Sequence, residues 1–547
     1  MSKSLKKNDD AEDDFFEIND EVAEAFREVP EIGAGKRWYD YPYRFLLWAG
    51  SGKRADILPK RLSKLIWKKI NDLIPYNEYE RYSASSLGSK LCDFSVPDKT
   101  HVNTLGLWVI ELFPPSYLGK LSRSMKSHNW HEREARELEG RSNEEKIRTA
   151  RAKNTSAWWR LGSVASPNFH GIIPDAVKED IPKEFSYIDL KAIQVGSGLT
   201  AVIAFFCPSP EGKIVLDKEW HTAHEPILVR KKGKRPKAYD RAWSSMLATQ
   251  QRRAETQNLA RTWMAQHCPG FFSDADKSQP VVDMLLFDQP HATDTNHILK
   301  KRNAYRALGL DGIEYVVSNE MPGCAFIPSS EEVRGGLHDC AALAADRATA
   351  IDDVVDKLKI YGREPEKSLS HYYEDKIGYF LLISSINSYS EKAFEKNAAR
   401  RDAAIEKFGK YKISGLEKHR KTLLSESFDV AEIQSCYELP WSELWRSWYG
   451  TELYARFDDG FINTYDYAAH LHKQTKANME YLCREDTIYR DILSTASSLG
   501  SSSFSLRLSK TALLVSLVSL LVAILALLLT DISNNNLLSF ILRISSN

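Results

Sequence analysis

The chain has 547 residues, 43% hydrophobic, 27% charged and 11% aromatic, which excludes a disordered polymer and a small stapled scaffold and leaves room for several domains. Lys plus Arg and Asp plus Glu both number 74, so no global field favours nucleic acid or an acidic partner. Seven cysteines, an odd total without a C-x-x-C pair, suit a reducing compartment and argue against a disulfide framework or a paired-cysteine zinc site.

Residues 1–30 read as an acidic flexible arm behind Lys3, Lys6 and Lys7, without the apolar stretch of a secretory signal. Arg37 to Trp48, RWYDYPYRFLLW, is dense in aromatics and reads as a segment entering a core, ending at Gly50. Pro59 to Ile74 reads as a helix, with Pro near its first turn and Pro75 as its stop. Leu62, Leu65, Ile66, Ile70 and Leu73 recur at helical spacing, with Lys60, Arg61, Lys64, Lys68 and Lys69 on the other faces. Such a helix can rest on anionic headgroups. Packing on a domain core with a solvated basic face gives the same pattern and is the expectation. Lys120 to Arg160 mixes charges with Trp130, Trp158 and Trp159, and is expected to hold a solvated helix from Trp130 to Lys153 rather than a nucleic-acid clamp.

Strand signals follow at Leu105 to Phe113, Phe185 to Val195, Leu199 to Cys207, Val281 to Phe287 and Ile313 to Val317. Gly196-Ser197-Gly198 joins the second and third as a hairpin, because glycine supplies the positive φ the turn needs. A long helix is expected from Ala238 to about His267, stopped by Pro269-Gly270. Beyond Leu337 helical signals dominate: Cys340 to Ile360, Tyr379 to Leu424 and Ser442 to Leu493. Phe461 to Leu493 carries an imperfect seam at alternating steps of four and three, which fits packing on the body better than a coiled coil.

Thr511 to Thr530, TALLVSLVSLLVAILALLLT, has no charge, Gly or Pro and spans about 30 Å as a helix, the thickness of a bilayer core. Ser494 to Ser505 ahead of it reads as a flexible spacer. Arg507 and Lys510 flank its N-terminal side and Arg543 alone lies beyond it, so the body is expected in the cytoplasm. The fold class expected is α+β: a mixed body with a central antiparallel, hairpin-containing sheet, a largely helical C-terminal third and one transmembrane helix. The expected parts are residues 1–30 (arm), 31–335 (cytoplasmic α+β domain), 336–493 (helical region), 494–509 (linker), 510–530 (membrane helix) and 531–547 (tail on the far side).

Chemistry-bearing residues are few. Pro174-Asp175 followed by Asp189-Leu190-Lys191 on the first hairpin strand resembles the PD-(D/E)xK nuclease pattern. That resemblance implies Asp175 and Asp189 on a divalent metal, with Lys191 aiding the attacking water. An ordinary strand with one charged row looks the same. His221 and His224 beside Glu225 lack the H-E-x-x-H spacing, and Pro226 opposes a helix there. Arg230, Lys231, Lys232, Lys234, Arg235 and Lys237 make a basic loop suited to phosphates or lipid headgroups, with a solvated connector as the default. No cofactor is assigned beyond the metal of the nuclease alternative. The functional expectation is a C-terminally anchored protein whose cytoplasmic body binds a partner or ligand at the membrane. The alternatives are the tethered nuclease and an oligomeric, pore-forming or bilayer-disrupting effector assembled through Phe461 to Leu493 and the membrane helix.

Overall fold

The computed structural model describes residues 36–77, 96, 100–130, 142–171, 173, 176–222, 224–230, 235–275, 279–288, 302–310, 314–328, 340–352, 354–359, 364–407, 424–435, 452–457, 464–529 and 537–546. The acidic arm, Asp175, Lys231, Lys232, Lys234 and Phe461 lie outside the described residues. The chain divides into two compact units, Met1–Ala393 with Ala431–Met479, and Phe394–Val430 with Glu480–Asn547.

The first unit is built on strands β1 (Val102–Phe113), β2 (Ala157–Ala165), β3 (Ala176–Lys178), β4 (Phe185–Val195), β5 (Leu199–Pro208), β6 (Ile227–Val229) and β7 (Lys237–Tyr239). It continues with β8 (Val281–Phe287), β9 (Glu314–Val317), β10 (Cys324–Pro328), β11 (Cys340–Asp346), β12 (Tyr454–Phe457) and β13 (Thr464–Asp466). Eleven of these form one sheet in the order β13-β12-β9-β10-β11-β8-β1-β5-β4-β2-β3, and β6 and β7 form a separate ribbon. The expected hairpin is present as β4 and β5, antiparallel from Phe185 opposite Pro208 to Val195 opposite Leu199, with Gly196 at φ 56° in its turn. The sheet is mixed rather than a simple antiparallel one, because β11 runs parallel to β8 and β3 parallel to β2. Gly106 sits at a register shift between β1 and β8, where a Cβ would come within 2.5 Å of the Phe205 ring.

The named helices are α1 (Asp40–Gly50), α2 (Lys60–Leu73), α3 (Leu118–Ser127), α4 (Asn143–Ala152), α5 (Pro210–Trp220), α6 (Arg241–His267), α7 (Pro365–Tyr372), α8 (Glu374–Lys407), α9 (Tyr467–Leu529) and α10 (Leu537–Ser545). Side chains alternate across a strand, so each face of β4 and β5 has its own partners. Ile188, Leu190 and Ala192 with Val202, Ala204 and Phe206 pack with Ala260, Trp263 and Met264 of α6. The opposite row meets α7 and α8: the Phe205 ring lies 5.3 Å from His371, and Gly378 sits against Ile203. Coverage on both sides explains why β5 is buried at every position. Asp240 caps α6 by accepting from Trp243 N–H at 2.8 Å. The helix is tied to β8 by a buried two-bond pair, Arg253 Nε and Nη2 each 2.7 Å from an Asp283 oxygen.

Several expectations change. Cys340–Asp346 is a central strand, not a helix start, and Tyr465 lies on β13 before α9 begins. Trp130 is buried, and the helix in its region is α4, opened by a capping box between Ser142 and Glu145. The Ser-rich stretch is part of α9. Two polar positions of the α9 seam are engaged within the chain. In the first unit Thr475 Oγ1 lies 3.1 Å from Asn387 Oδ1, and in the second Asp486 Oδ1 accepts from Ser427 at 2.5 Å.

The N-terminal helices also depart from expectation. Tyr39 and Asp40 are buried, but Tyr41, Phe45 and Trp48 are exposed, so α1 does not enter the core. On α2 only Ile66 and Ile70 are buried, against Gly50, and Leu62, Leu65 and Trp67 face outward.

Candidate functional site

Asp189 and Lys191 stand on the same face of β4, and each is engaged by a neighbouring side chain. Arg160 Nε donates to Asp189 Oδ1 at 2.8 Å, and the Ser163 hydroxyl donates to the same oxygen. Burial raises the Asp189 carboxyl above its ordinary range, while Arg160 and Ser163 draw it back. Lys191 Nζ lies 2.5 Å from Asp375 Oδ1 and 4.0 Å from the centre of the Trp158 ring. Asp189 and Lys191 are thus each paired within the protein, and Asp175, the third residue of the nuclease-like pattern, lies outside the described residues.

The same row of β4 leads into a cleft of about 890 Å³. Tyr187 forms part of its wall with Cys207 of β5 and His371 of α7, and Lys183, Lys213 and Lys367 also line it. The Tyr187 hydroxyl and His371 Nε2 are 2.9 Å apart, and His371 Nδ1 lies 3.9 Å from Glu374. Burial, then Cys207, pushes the Tyr187 phenol up, so the phenol stays protonated beside the imidazole. Burial likewise raises the Cys207 thiol, which removes it as a ready nucleophile. Burial of Glu374 is outweighed by His371 and Lys191, which hold its carboxyl below the usual range. The cleft thus holds a protonated phenol and thiol, with Lys183, Lys213 and Lys367 beside the carboxylates Glu211 and Glu364, and Lys367 pairs with Glu364 at 2.8 Å.

A second surface lies at the N-terminal helices. Phe45 is 64% exposed, Trp48 54% and Leu65 60%, with Tyr41, Leu62, Trp67 and Ile57 also exposed. Phe45 stacks on Trp48 at 5.9 Å, and Arg54 lies over the same indole at 4.2 Å. The root of α1 is fixed to the β6–β7 ribbon: Arg37 Nε meets Glu225 at 2.8 Å, and Trp38 Nε1 donates to the Leu228 carbonyl at 3.0 Å. Of the basic run, Arg230 directly follows β6, Arg235 is exposed and Lys237 opens β7 of that ribbon. His221, His224 and Glu225 do not converge. His224 Nε2 pairs with Glu219 at 3.0 Å, and Glu225 takes Arg37.

Two groups of histidine and carboxylate bring donor atoms within 4.8 Å of one another among the described residues: His101, Asp217 and His221, and His128, Glu179 and His267. In the first the Asp217 oxygens are already used, accepting from Val102 N–H at 2.9 Å and facing His101 Nδ1 at 3.0 Å. In the second, burial and the adjacent His267 hold His128 below the ordinary imidazole range.

In the second unit α9 carries the segment Leu508–Leu527, twenty residues long and none of it buried. It is long and apolar enough to cross a membrane, and it covers most of the stretch expected from sequence. Arg507 and Lys510 lie on α9 at the N-terminal end of the segment, and Arg543 lies in the last turn of α10.

The sequence reading passed over Tyr187, Cys207, His371 and Glu374, since β4 and α7 meet across 184 residues and only the fold joins them. The aromatics of α1 have the composition of a core segment, yet Tyr41, Phe45 and Trp48 are exposed. Comparison with known proteins finds no family model and no curated protein that matches the chain.

Proposed function

We propose that the chain is a single-pass membrane protein, held by Leu508–Leu527, whose body lies against an anionic bilayer surface and takes an anionic ligand in the Tyr187 cleft. The observation that carries this reading is the exposed aromatic and basic face of α1 and α2. Its apolar side chains have no cover among the described residues, and its lysines are placed as in helices that lie in the membrane interface. An exposed, apolar twenty-residue segment in the same chain, whose one charged residue is Lys510 near its start, supplies a surface of matching chemistry. Aromatic rings favour the headgroup boundary, and each Lys or Arg near an anionic surface contributes about 1 kcal/mol. The body stands on the side of Arg507 and Lys510, the cytoplasmic side by the bias of basic residues.

The test is hydrogen–deuterium exchange on the full chain in vesicles of neutral lipid, in vesicles containing phosphatidylserine, and in detergent. Peptides covering 40–74 become protected in the phosphatidylserine vesicles, and Lys60→Glu, Lys64→Glu and Lys68→Glu together remove that protection. Equal exchange in all three settings overturns the docking.

A further inference from the structure

We infer that His128, Glu179 and His267 form a binding site for one divalent transition-metal ion of the zinc class, independent of the membrane reading. Three separate elements bring the donors together: His128 follows the last turn of α3, His267 ends α6, and Glu179 follows β3. Two histidines and one carboxylate are a donor set that suits zinc, cobalt or iron and leaves a further position for water or ligand.

The rings are already oriented. His267 Nδ1 is 2.9 Å from the Trp263 carbonyl, and a carbonyl only accepts, so the proton sits on Nδ1 and the Nε2 lone pair is left for a metal. The His267 ring stacks on Trp263 at 4.3 Å with an interplanar angle of 12°, and His128 stacks on Trp130 at 4.8 Å. Indole faces on both rings restrict the rotations that would scatter the ligands.

Glu179 supplies the charge. Its side chain lies 3.7 Å from His128 Nδ1, beyond hydrogen-bond length. Both histidines also stand at helix C-termini, where the backbone carbonyls favour a cation. Ligands on one tetrahedral ion sit about 3.4 Å apart, given metal–ligand bonds of about 2.1 Å. The donors, within 4.8 Å of one another, therefore close by a side-chain adjustment without backbone movement.

The experiment uses the full chain in detergent, stripped with a chelator and titrated with Co²⁺ followed by absorption, then with Zn²⁺ in competition. One equivalent of Co²⁺ should give visible d–d bands without the near-ultraviolet band of a thiolate ligand. Glu179→Gln and His267→Ala should each weaken binding at least tenfold. Glu179→Gln tests the site without disturbing the core, because the metal-free variant is expected to unfold at the wild-type temperature yet lose the stabilisation that Zn²⁺ gives the wild type. Asp217→Asn, in the other histidine group, should leave the spectrum unchanged. Absence of stoichiometric binding, a thiolate band, or wild-type affinity in Glu179→Gln or His267→Ala overturns the site.

Discussion

Glu111 allows a quantitative test of how the sheet is held. It lies on β1, fully buried, and its carboxyl accepts from Phe272 N–H at 2.7 Å, Ser273 N–H at 3.0 Å, the Ser273 hydroxyl at 2.5 Å and Leu112 N–H at 3.1 Å. Burial raises its carboxyl to about 7 against the pull of those hydrogen bonds. A folded-state value above the unfolded one means that the native protein binds the proton more tightly. The associated stability is therefore full below the unfolded value of 4.5 and is lost as pH rises through about 7. A gap of that width corresponds to about 3 kcal/mol, at about 1.4 kcal/mol per unit. Native-state hydrogen exchange of β1 and β8 amides, corrected for the intrinsic pH dependence of exchange, measures it on the intact chain without assuming two-state unfolding. The opening free energy should fall by up to about 3 kcal/mol between pH 4.5 and 8, and Glu111→Gln should flatten that slope. An opening free energy that rises with pH across the window, or a slope that survives in Glu111→Gln, would refute the reasoning.

Other outcomes follow from the same structure. Arg253→Ala leaves the Asp283 carboxylate buried and unpaired and should cost about 3–5 kcal/mol, read as loss of protection along β8. Arg253→Ala combined with Asp283→Ala should cost less than the sum of the two single changes, and strict additivity would contradict the pairing. In the cleft, Lys213→Glu with Lys367→Glu should weaken binding of an inorganic phosphate probe about tenfold or more in calorimetry. Unchanged binding would separate those lysines from recognition.

Legibility in the sequence tracks where local chemistry decides the structure. The β4–β5 hairpin and β8 were readable because glycine marks the turn and the β8 run is almost wholly apolar. β11, Cys-Ala-Ala-Leu-Ala-Ala-Asp, looked helical because alanine favours helices locally. Its place between β8 and β10 is set by packing that no local signal carries. The cleft was hidden for a related reason: Tyr187 and His371 are ordinary residues until the sheet and α7 bring them together. On α2 the helical period is legible and the environment is not, since a helix with an exposed apolar face and one packed on a core share the same spacing.

Membrane insertion of Leu508–Leu527 is measured most directly by alkaline carbonate extraction of membranes carrying the full chain, beside a Leu517→Arg, Leu521→Arg variant. Each central arginine opposes insertion by about 2.5–3.5 kcal/mol. The wild-type chain should stay in the membrane pellet and the variant should move to the supernatant. Release of the wild-type chain, or retention of both in the pellet, would contradict anchoring by this helix.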